Sequence, residues 1–478
     1  MMKAVFYFLI FLTLFMAAAP LRARAADINF NGEFRTRYFY DNNLTDAHSG
    51  HGNGCRGPDG VPGTGDDYCN DQESFADARF RLKVMATQDI MTGVLLVDFF
   101  STQPSQDAAT LNAPSAGNTN GNRILGSDGF GQSLNSVALK EGYLRISWPA
   151  AHLVIGRQAV TLGHSLILDD TADAATLAIP MSWATLTFMD LFLVNSSSGL
   201  SSTSGYLADL NVDPTAGFKS SLFVLFIKDR GPNLVFNQTP SFAPCADLPQ
   251  LSPAACPLTD FGNDQATIGT VGLSMDQQLS SIRWGGELDL LNGSIKTHDN
   301  TPPLNPNGKD ISISGMNALA QLGWTGVRYD SLFTGLYATG QKPGDLPSNG
   351  KKLNLNAISP NFVLGNILVN NETTSDRDGG NIGGLTAIKL ALGWRPDPMF
   401  RTELAGIWAW LTEAPAKNAS RNLGSEFDLN ASWQLETHLL LTGGAGILLT
   451  GNGWKTLYSD PNANDNMVKI STKLIYTF

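Results

Sequence analysis

Hydrophobic and polar residues alternate along most of this chain. The segments 27–40, 75–86, 400–411 and 426–435 each carry apolar side chains at about every second position, with polar or charged side chains between them. A period of two places the two classes on opposite faces of a β-strand. Because the pattern recurs many times, it predicts an all-β protein whose strands face an apolar medium on one side and water on the other.

The connections between these strands are alternately short and long. Long polar connections cover 41–74, 102–134, 229–265 and 341–383. This pattern predicts a single closed antiparallel transmembrane β-barrel of about 18 strands, with long extracellular loops and short periplasmic turns. The segment 178–212 is apolar on both faces, so the alternative count is about 16 strands. Closure is expected because an open sheet in lipid leaves backbone groups unpaired at both edges.

The N-terminus has the features of an export signal. Lys3 precedes an apolar run over residues 4–19, and Ala23-Arg24-Ala25 follows it. The pattern predicts a secretory signal peptide over residues 1–25 and a barrel over residues 26–478. The alternative, an N-terminal membrane anchor, is disfavoured because the apolar run is short for a spanning helix.

The C-terminal segment is the sharpest signal in the chain. Residues 467–478 read MVKISTKLIYTF, in which mainly apolar and polar faces alternate, with Tyr476 and Phe478 on the apolar face. The segment resembles the terminal strand of outer-membrane proteins, which the barrel-assembly machinery recognises. The alternative is a buried terminal strand of a soluble β protein. Together the two ends predict a protein of the bacterial outer membrane.

Composition supports export and argues against nucleic-acid binding. Charged residues make up 16% of the chain, against roughly a quarter in ordinary globular proteins. The formal charge is −11, and loss of Lys3, Arg22 and Arg24 with the signal peptide makes it more negative by three. An acidic chain does not neutralise phosphates.

Four cysteines fall in two close pairs within polar segments. Cys55 lies near Cys69, and Cys245 lies near Cys256. In an exported protein this spacing predicts two local disulfides, although the sequence leaves other pairings open.

A barrel of this width is expected to hold water unless a loop folds into it. The alternation places these basic residues on the lumen face: Arg35, Arg37, Arg79, Arg81, Lys83, Arg401, Lys469 and Lys473. It places these acids there too: Glu33, Asp77, Glu403, Glu426 and Asp428. Because the first and last strands are neighbours in a closed barrel, most of the bases are expected to form one wall that favours anionic solutes. The alternative is that the lumen charges neutralise each other.

Residues 155–163 read IGRQAVTLG, and here the chain resembles the alginate-export family of outer-membrane porins. In that family a strand with Gly-Arg-Gln leads into an inward-reaching loop of an 18-stranded barrel. The resemblance covers Gly156, Arg157 and Gln158 and implies that Arg157 lines the pore. Residues 164–170 depart from the family's loop pattern, so alginate as the substrate does not follow.

Two further features bear on metals and catalysis. The Gly-rich segment 57–71 holds Asp59, Asp66, Asp67 and Asp71, which suits either a Ca²⁺ site or an ordinary solvated acidic loop. The sequence has no G-x-S-x-G, H-E-x-x-H, P-loop or haem-attachment motif. His164, Ser165 and Asp169 are close in sequence, but proximity does not make a catalytic triad.

These observations predict a passive outer-membrane channel, not an enzyme, for small hydrophilic solutes, with a preference for anions or acidic saccharides. The alternative is a structural barrel that encloses partner proteins such as electron-carrying cytochromes.

Overall fold

The protein is described by a computed structural model that covers residues 26–42, 72–103, 135–195, 202–215, 217–230, 265–296, 311–340, 353–354, 362–369, 384–414, 419–457 and 465–478. The predicted signal peptide, the four cysteines and the acidic segment 57–71 lie outside these residues. Among the described residues, no helix has the length and apolar character needed to span a membrane.

The described chain consists of strands and one short helix. The strands are β1 Asp27–Asn42, β2 Gln72–Gln88, β3 Met91–Gln103, β4 Asn135–Trp148, β5 Ala151–Thr161, β6 Asp169–Pro180, β7 Ala184–Asn195, β8 Ser202–Thr215, β9 Phe218–Arg230, β10 Gln265–Leu279, β11 Ile282–Lys296, β12 Ile311–Thr325, β13 Tyr329–Ala338, β14 Leu353–Asn354, β15 Leu385–Trp394, β16 Phe400–Trp410, β17 Asn422–Glu436, β18 Leu439–Thr450 and β19 Met467–Thr477. The helix α1 covers Gly453–Leu457.

Eighteen of these strands form a closed antiparallel barrel in which each strand pairs with its neighbours in the chain. The remaining strand, β14, pairs in parallel with the part of β12 that extends beyond β13. The barrel closes where β1 pairs with β19. Gly32 and Phe478 exchange two backbone hydrogen bonds of 3.0 and 3.1 Å there, so the last residue of the chain completes the seam.

The predicted count of 18 is confirmed, and the alternative of 16 is wrong. The uncertain segment 178–212 forms the end of β6, all of β7 and most of β8, with a tight connection at 181–183. The number of strands in this segment was hard to predict because the inner face of the barrel is also apolar here. Leu191 and Leu207 are buried there, while Phe188 and Tyr206 point to the outside.

The outer face of the barrel is apolar and is bounded by aromatic side chains. Near the short turns, which lie at the periplasmic end in barrels of this kind, exposed aromatics form a girdle: Trp183, Trp284, Trp324, Tyr329, Trp394, Trp433 and Tyr476. Above it lie exposed aliphatic residues such as Val224, Leu273 and Leu390. Tryptophan and tyrosine favour the interface between lipid and water, so the girdle marks one edge of the lipid-facing band.

Candidate functional site: a narrowed lumen

One side of the lumen is lined by β1–β4 and β19. We call this surface the charged wall. The strand register places these basic residues on it: Arg35, Arg37, Arg79, Arg81, Lys83, Arg145, Lys469 and Lys473. Among the residues whose side chains the structure describes, the acids on the same face are Asp27, Glu33, Asp77, Asp98 and Glu141. Bases therefore outnumber acids among these residues.

Many of these charges are paired across neighbouring strands. Nε of Arg37 donates to both carboxylate oxygens of Asp77 at 2.9 and 3.0 Å. Arg81 donates twice to the buried Asp98, at 2.5 and 2.6 Å. Forked pairs of this kind hold both partners in fixed geometry. The expected basic wall is therefore a mixed surface with an excess of positive charge.

The excess is concentrated around Arg35. Its Cα partner on β2 is Arg79, and Arg37 follows it on the same face of β1. Among the described residues, Nε of Arg35 has no hydrogen-bond partner. Arg79 forms an ion pair with Glu33. Further along the charged wall, Lys469 is almost fully buried and places Nζ 5.5 Å from the ring of Phe39.

Arg401 lies on the inner face of β16, outside the charged wall. It donates to Asp330 at 3.0 Å and to Glu403 at 2.7 Å, and Arg395 donates to the same Asp330 at 2.8 Å. Arg401 thus belongs to a separate paired cluster near the periplasmic end and is not part of the charged wall.

The connection between β5 and β6, residues 162–168, bends into the lumen; we call it the first inward segment. His164 lies 3.1 Å from Asp276 on β10 and 3.3 Å from Glu287 on β11. Because β7, β8 and β9 separate β6 from β10 in the sheet, these contacts can form only across the interior. Gly163 has a φ of 54° and leaves no room for a Cβ against the Glu287 carboxylate, so only glycine fits there.

Two carboxylates act on the charge of His164, which lies outside the spanning strands. The hydrogen bond to Glu287 raises the pKa of His164, desolvation lowers it, and Asp276 adds to the rise, so the net direction is upward. A protonated His164 therefore strengthens the contact between the first inward segment and the wall.

Residues 362–369, between β13 and β15, form the second inward segment. The backbone N–H groups of Ile367 and Leu368 donate to Glu426 on β17 at 2.8 and 2.7 Å, and that of Asn366 donates to Asp428 at 3.2 Å. Nζ of Lys389 on β15 donates to the Leu364 carbonyl at 2.6 Å. Polar residues of the wall thus satisfy the backbone of a segment that has left the sheet.

The two inward segments meet inside the barrel. Leu166 of the first segment is fully buried in one apolar cluster with Phe362, Leu364, Ile367 and Leu368 of the second. On its other side the first segment packs, through Leu162, Ile167 and Leu168, against inner residues of β6–β12. Among the described residues, apolar packing therefore fills the part of the lumen beside β5–β18 at the level of the two inward segments, and it leaves the charged wall uncovered.

Arg157, which the resemblance placed in the pore, does not face it. The register pairs Arg157 with Gly142 and Asp173, on the same face as the exposed Ile155 and Phe192. The buried Gln158 and Val160 face inward instead. The expectation that Arg157 lines the pore is therefore wrong, because strand alternation turns it toward the outside.

Sequence reasoning missed several residues that hold the inward segments. Asp276 and Glu287 were not singled out, and neither was the second inward segment. An available signal was the mostly apolar segment 362–369, FVLGNILV, inside a long loop that was expected to be polar.

The described residues add no support for metal binding or hydrolysis. They contain no group of three or more His, Cys, Asp or Glu side chains suited to a metal ion. Asp169 accepts a hydrogen bond from Thr161 at 2.8 Å, while His164 turns to Asp276 and Glu287. The roles predicted for Asp59, Asp66, Asp67 and the cysteines lie outside the described part of the chain.

Several solved structures share the architecture of this chain. No protein-family model matches the chain, and no curated protein matches it. Acinetobacter baumannii OccAB4 is 10% identical, with a TM-score of 0.53 over 95% of this chain and 99% of that one. A BenF-like porin from Pseudomonas fluorescens Pf-5 is 9% identical, with a TM-score of 0.53 over 95% and 98%. Pseudomonas aeruginosa OccK9 (OpdG) is 13% identical, with a TM-score of 0.52 over 95% and 98%.

These likenesses establish the fold. It is an 18-stranded closed barrel like that of the matched structures, so the predicted fold class is confirmed. This fold is the one expected for the predicted outer-membrane location.

Proposed function

We propose that this protein is a passive channel whose open path runs along the charged wall. The observation that carries the proposal is the meeting of the two inward segments in one buried apolar cluster around Leu166. A water-filled barrel of this width would pass solutes anywhere across its section. Filling one part with apolar side chains confines charged and polar solutes to the side where polar groups remain.

The proposed preference is for small anions, including acidic saccharides. Its support is the excess of basic residues on the charged wall and the position of Arg35 between Arg37 and Arg79. Rings or strips of like charge in a narrow passage raise the local concentration of the opposite ion. Alginate is one acidic saccharide of this class, and its transport is a proposal that rests on the resemblance of residues 155–163 alone.

The alternative of a barrel around cytochromes is disfavoured by the same packing. A partner inside the barrel needs the space that the two inward segments occupy. The proposed contact with the barrel-assembly machinery rests on β19, whose Tyr476 and Phe478 lie on the outer face. Ca²⁺ binding by Asp59, Asp66 and Asp67, and the disulfides Cys55–Cys69 and Cys245–Cys256, remain proposals from the sequence.

Reversal potentials in a salt gradient test the proposed selectivity. The purified barrel is inserted into a planar bilayer, and wild type is compared with Arg35→Gln. A unit charge about 10 Å from an ion in water contributes about 0.4 kcal/mol, roughly a twofold change in ion occupancy. We expect an anion-selective wild type and a comparable loss of selectivity in Arg35→Gln.

Arg157→Gln is the matched control because it removes the same charge from the outer face. We expect it to conduct with wild-type selectivity. A wild type without anion preference, or equal effects of the two substitutions, would contradict the proposed path. A folded barrel that never conducts would contradict the channel itself.

A further inference from the structure

The outer face of β5, β6 and β7 carries ionisable side chains at a depth where the rest of the described outer face is apolar. A guanidinium nitrogen of Arg157 lies 3.7 Å from the Asp173 carboxylate and another donates to Thr171 at 3.2 Å. Asp190 follows on β7, between the exposed Phe188 and Phe192. The register puts all three charged residues on the lipid side.

These charges lie near the middle of the barrel wall. Arg157 is six residues above Ala151, the first residue of β5, and Asp190 is six residues above Ala184. At about 3.3 Å per residue and a tilt of about 40°, both lie roughly 15 Å above the periplasmic turns. The lipid-facing band is about 25 Å tall, so neither group is at a rim where lipid headgroups begin.

Neighbouring strands show what a lipid-facing surface of this barrel looks like. On β9 the equivalent outer positions hold Leu222, Val224 and Phe226, all more than 40% exposed. Charged side chains at mid-depth on a lipid face are strongly unfavourable. Small residues accompany the charges on β5 and β6, where Ala159 and Ala175 allow another surface to approach closely.

We propose that the outer face of β5–β7 is an interface between copies of this chain. All copies of an outer-membrane barrel have the same orientation, so a closed assembly has its symmetry axis along the membrane normal. Residues of equal height then meet. The patch carries a cation and two carboxylates at one height, and among the described residues Asp190 has no cation partner. Arg157 of one copy is therefore positioned to pair with Asp190 of the next, which lipid cannot do.

Photo-crosslinking in intact outer membranes tests the occupant directly. A benzophenone amino acid replaces Ala159 in the patch and, in a matched variant, Val224 on the outer face of β9. We expect an adduct between two copies of the full chain from position 159 and adducts with lipid alone from position 224. Adducts of position 159 with lipopolysaccharide or with a different protein alone would overturn the proposal, as would equal chain-to-chain adducts from both positions.

Charge reversal tests the pairing. Arg157→Glu places three carboxylates together, and we expect roughly a tenfold or greater fall in the oligomer fraction measured by light scattering in mild detergent. Arg157→Asp combined with Asp173→Arg restores both signs and should restore the oligomer. Heat-modifiable migration on gels confirms that each variant forms a barrel. A folded Arg157→Glu variant that remains oligomeric would overturn the proposal.

Discussion

Substitution of Gly163 by valine is expected to release the first inward segment from the wall. The φ of 54° at this position costs a β-branched residue about 1–2 kcal/mol, and its Cβ would overlap the Glu287 carboxylate. Overpacking of this kind adds about 1–3 kcal/mol. The total of about 2–5 kcal/mol corresponds to a shift of roughly 30-fold or more in the ratio of docked to undocked segment.

This free-energy penalty is large compared with the net free energy that keeps the first inward segment docked. Four side chains of the segment, Leu162, Leu166, Ile167 and Leu168, are at most 2% exposed. Their burial contributes about 6–12 kcal/mol, and the entropy lost on ordering the connection offsets much of this. A penalty of a few kcal/mol therefore removes a large part of the net preference for the docked state.

Single-channel recording in planar bilayers measures the consequence. We expect Gly163→Val to show a larger main conductance or frequent transitions to a larger level, because the apolar filling opens. Gly443→Val is the control, since a Cβ at Gly443 meets only a distant backbone oxygen. Wild-type conductance and noise in a folded Gly163→Val barrel would refute the view that this segment narrows the lumen.

Three further outcomes follow from the same contacts. Because carboxylates raise the pKa of His164, its contribution to docking is fully present below about pH 6.5, the ordinary histidine value, and is lost as the pH rises through the raised pKa. We therefore expect the current noise to increase at high pH. A pH-independent wild type or a pH-dependent His164→Gln variant would contradict this. Glu426→Leu leaves the N–H groups of Ile367 and Leu368 without an acceptor, which costs about 1–3 kcal/mol of docking free energy for each buried group. We expect limited proteolysis to cut the second inward segment faster than in wild type, and equal cutting rates would count against its docking. Phe478→Ala removes the ring that stacks on Phe80 at 6.0 Å, so we expect slower barrel assembly in pulse-chase experiments, and an unchanged rate would argue against a role of this ring.

The alternation of apolar and polar residues was enough to predict the barrel. Each strand needs one lipid-facing and one inner face, and this requirement is local, so it is visible in short windows. The same alternation placed Arg35 and Arg79 on the inner face. It failed to separate strands only between 178 and 212, because the inner face there packs against the first inward segment and is apolar as well.

For Arg157, the resemblance to a family led to a wrong prediction, whereas the local alternation of residues indicated the correct face. The Gly-Arg-Gln motif implied a pore-lining arginine, yet Arg157 has the same parity as Ile155 on β5. An apolar residue two positions away indicates the lipid side, and the structure follows that parity.

The inward segments could not be predicted because their contacts are distant in the sequence. His164 meets Glu287, which is 123 residues further along the chain, and Leu368 meets Glu426. Such contacts depend on how a closed barrel brings opposite walls together. The pairing of Arg37 with Asp77 likewise required the register between two strands.

Cysteine accessibility tests the central claim, that solutes pass along the charged wall, most directly. Tyr143 lies on the inner face of β4 beside Glu141 and Arg145, whereas Thr176 lies on the inner face of β6 and donates to Gln158 at 2.9 Å within the filled part of the lumen. A negatively charged thiol reagent is added during recording from Tyr143→Cys and Thr176→Cys, with wild type as the control for the native cysteines. The account predicts a stepwise fall in current for Tyr143→Cys and no change for Thr176→Cys; block at position 176 without block at position 143 would contradict it.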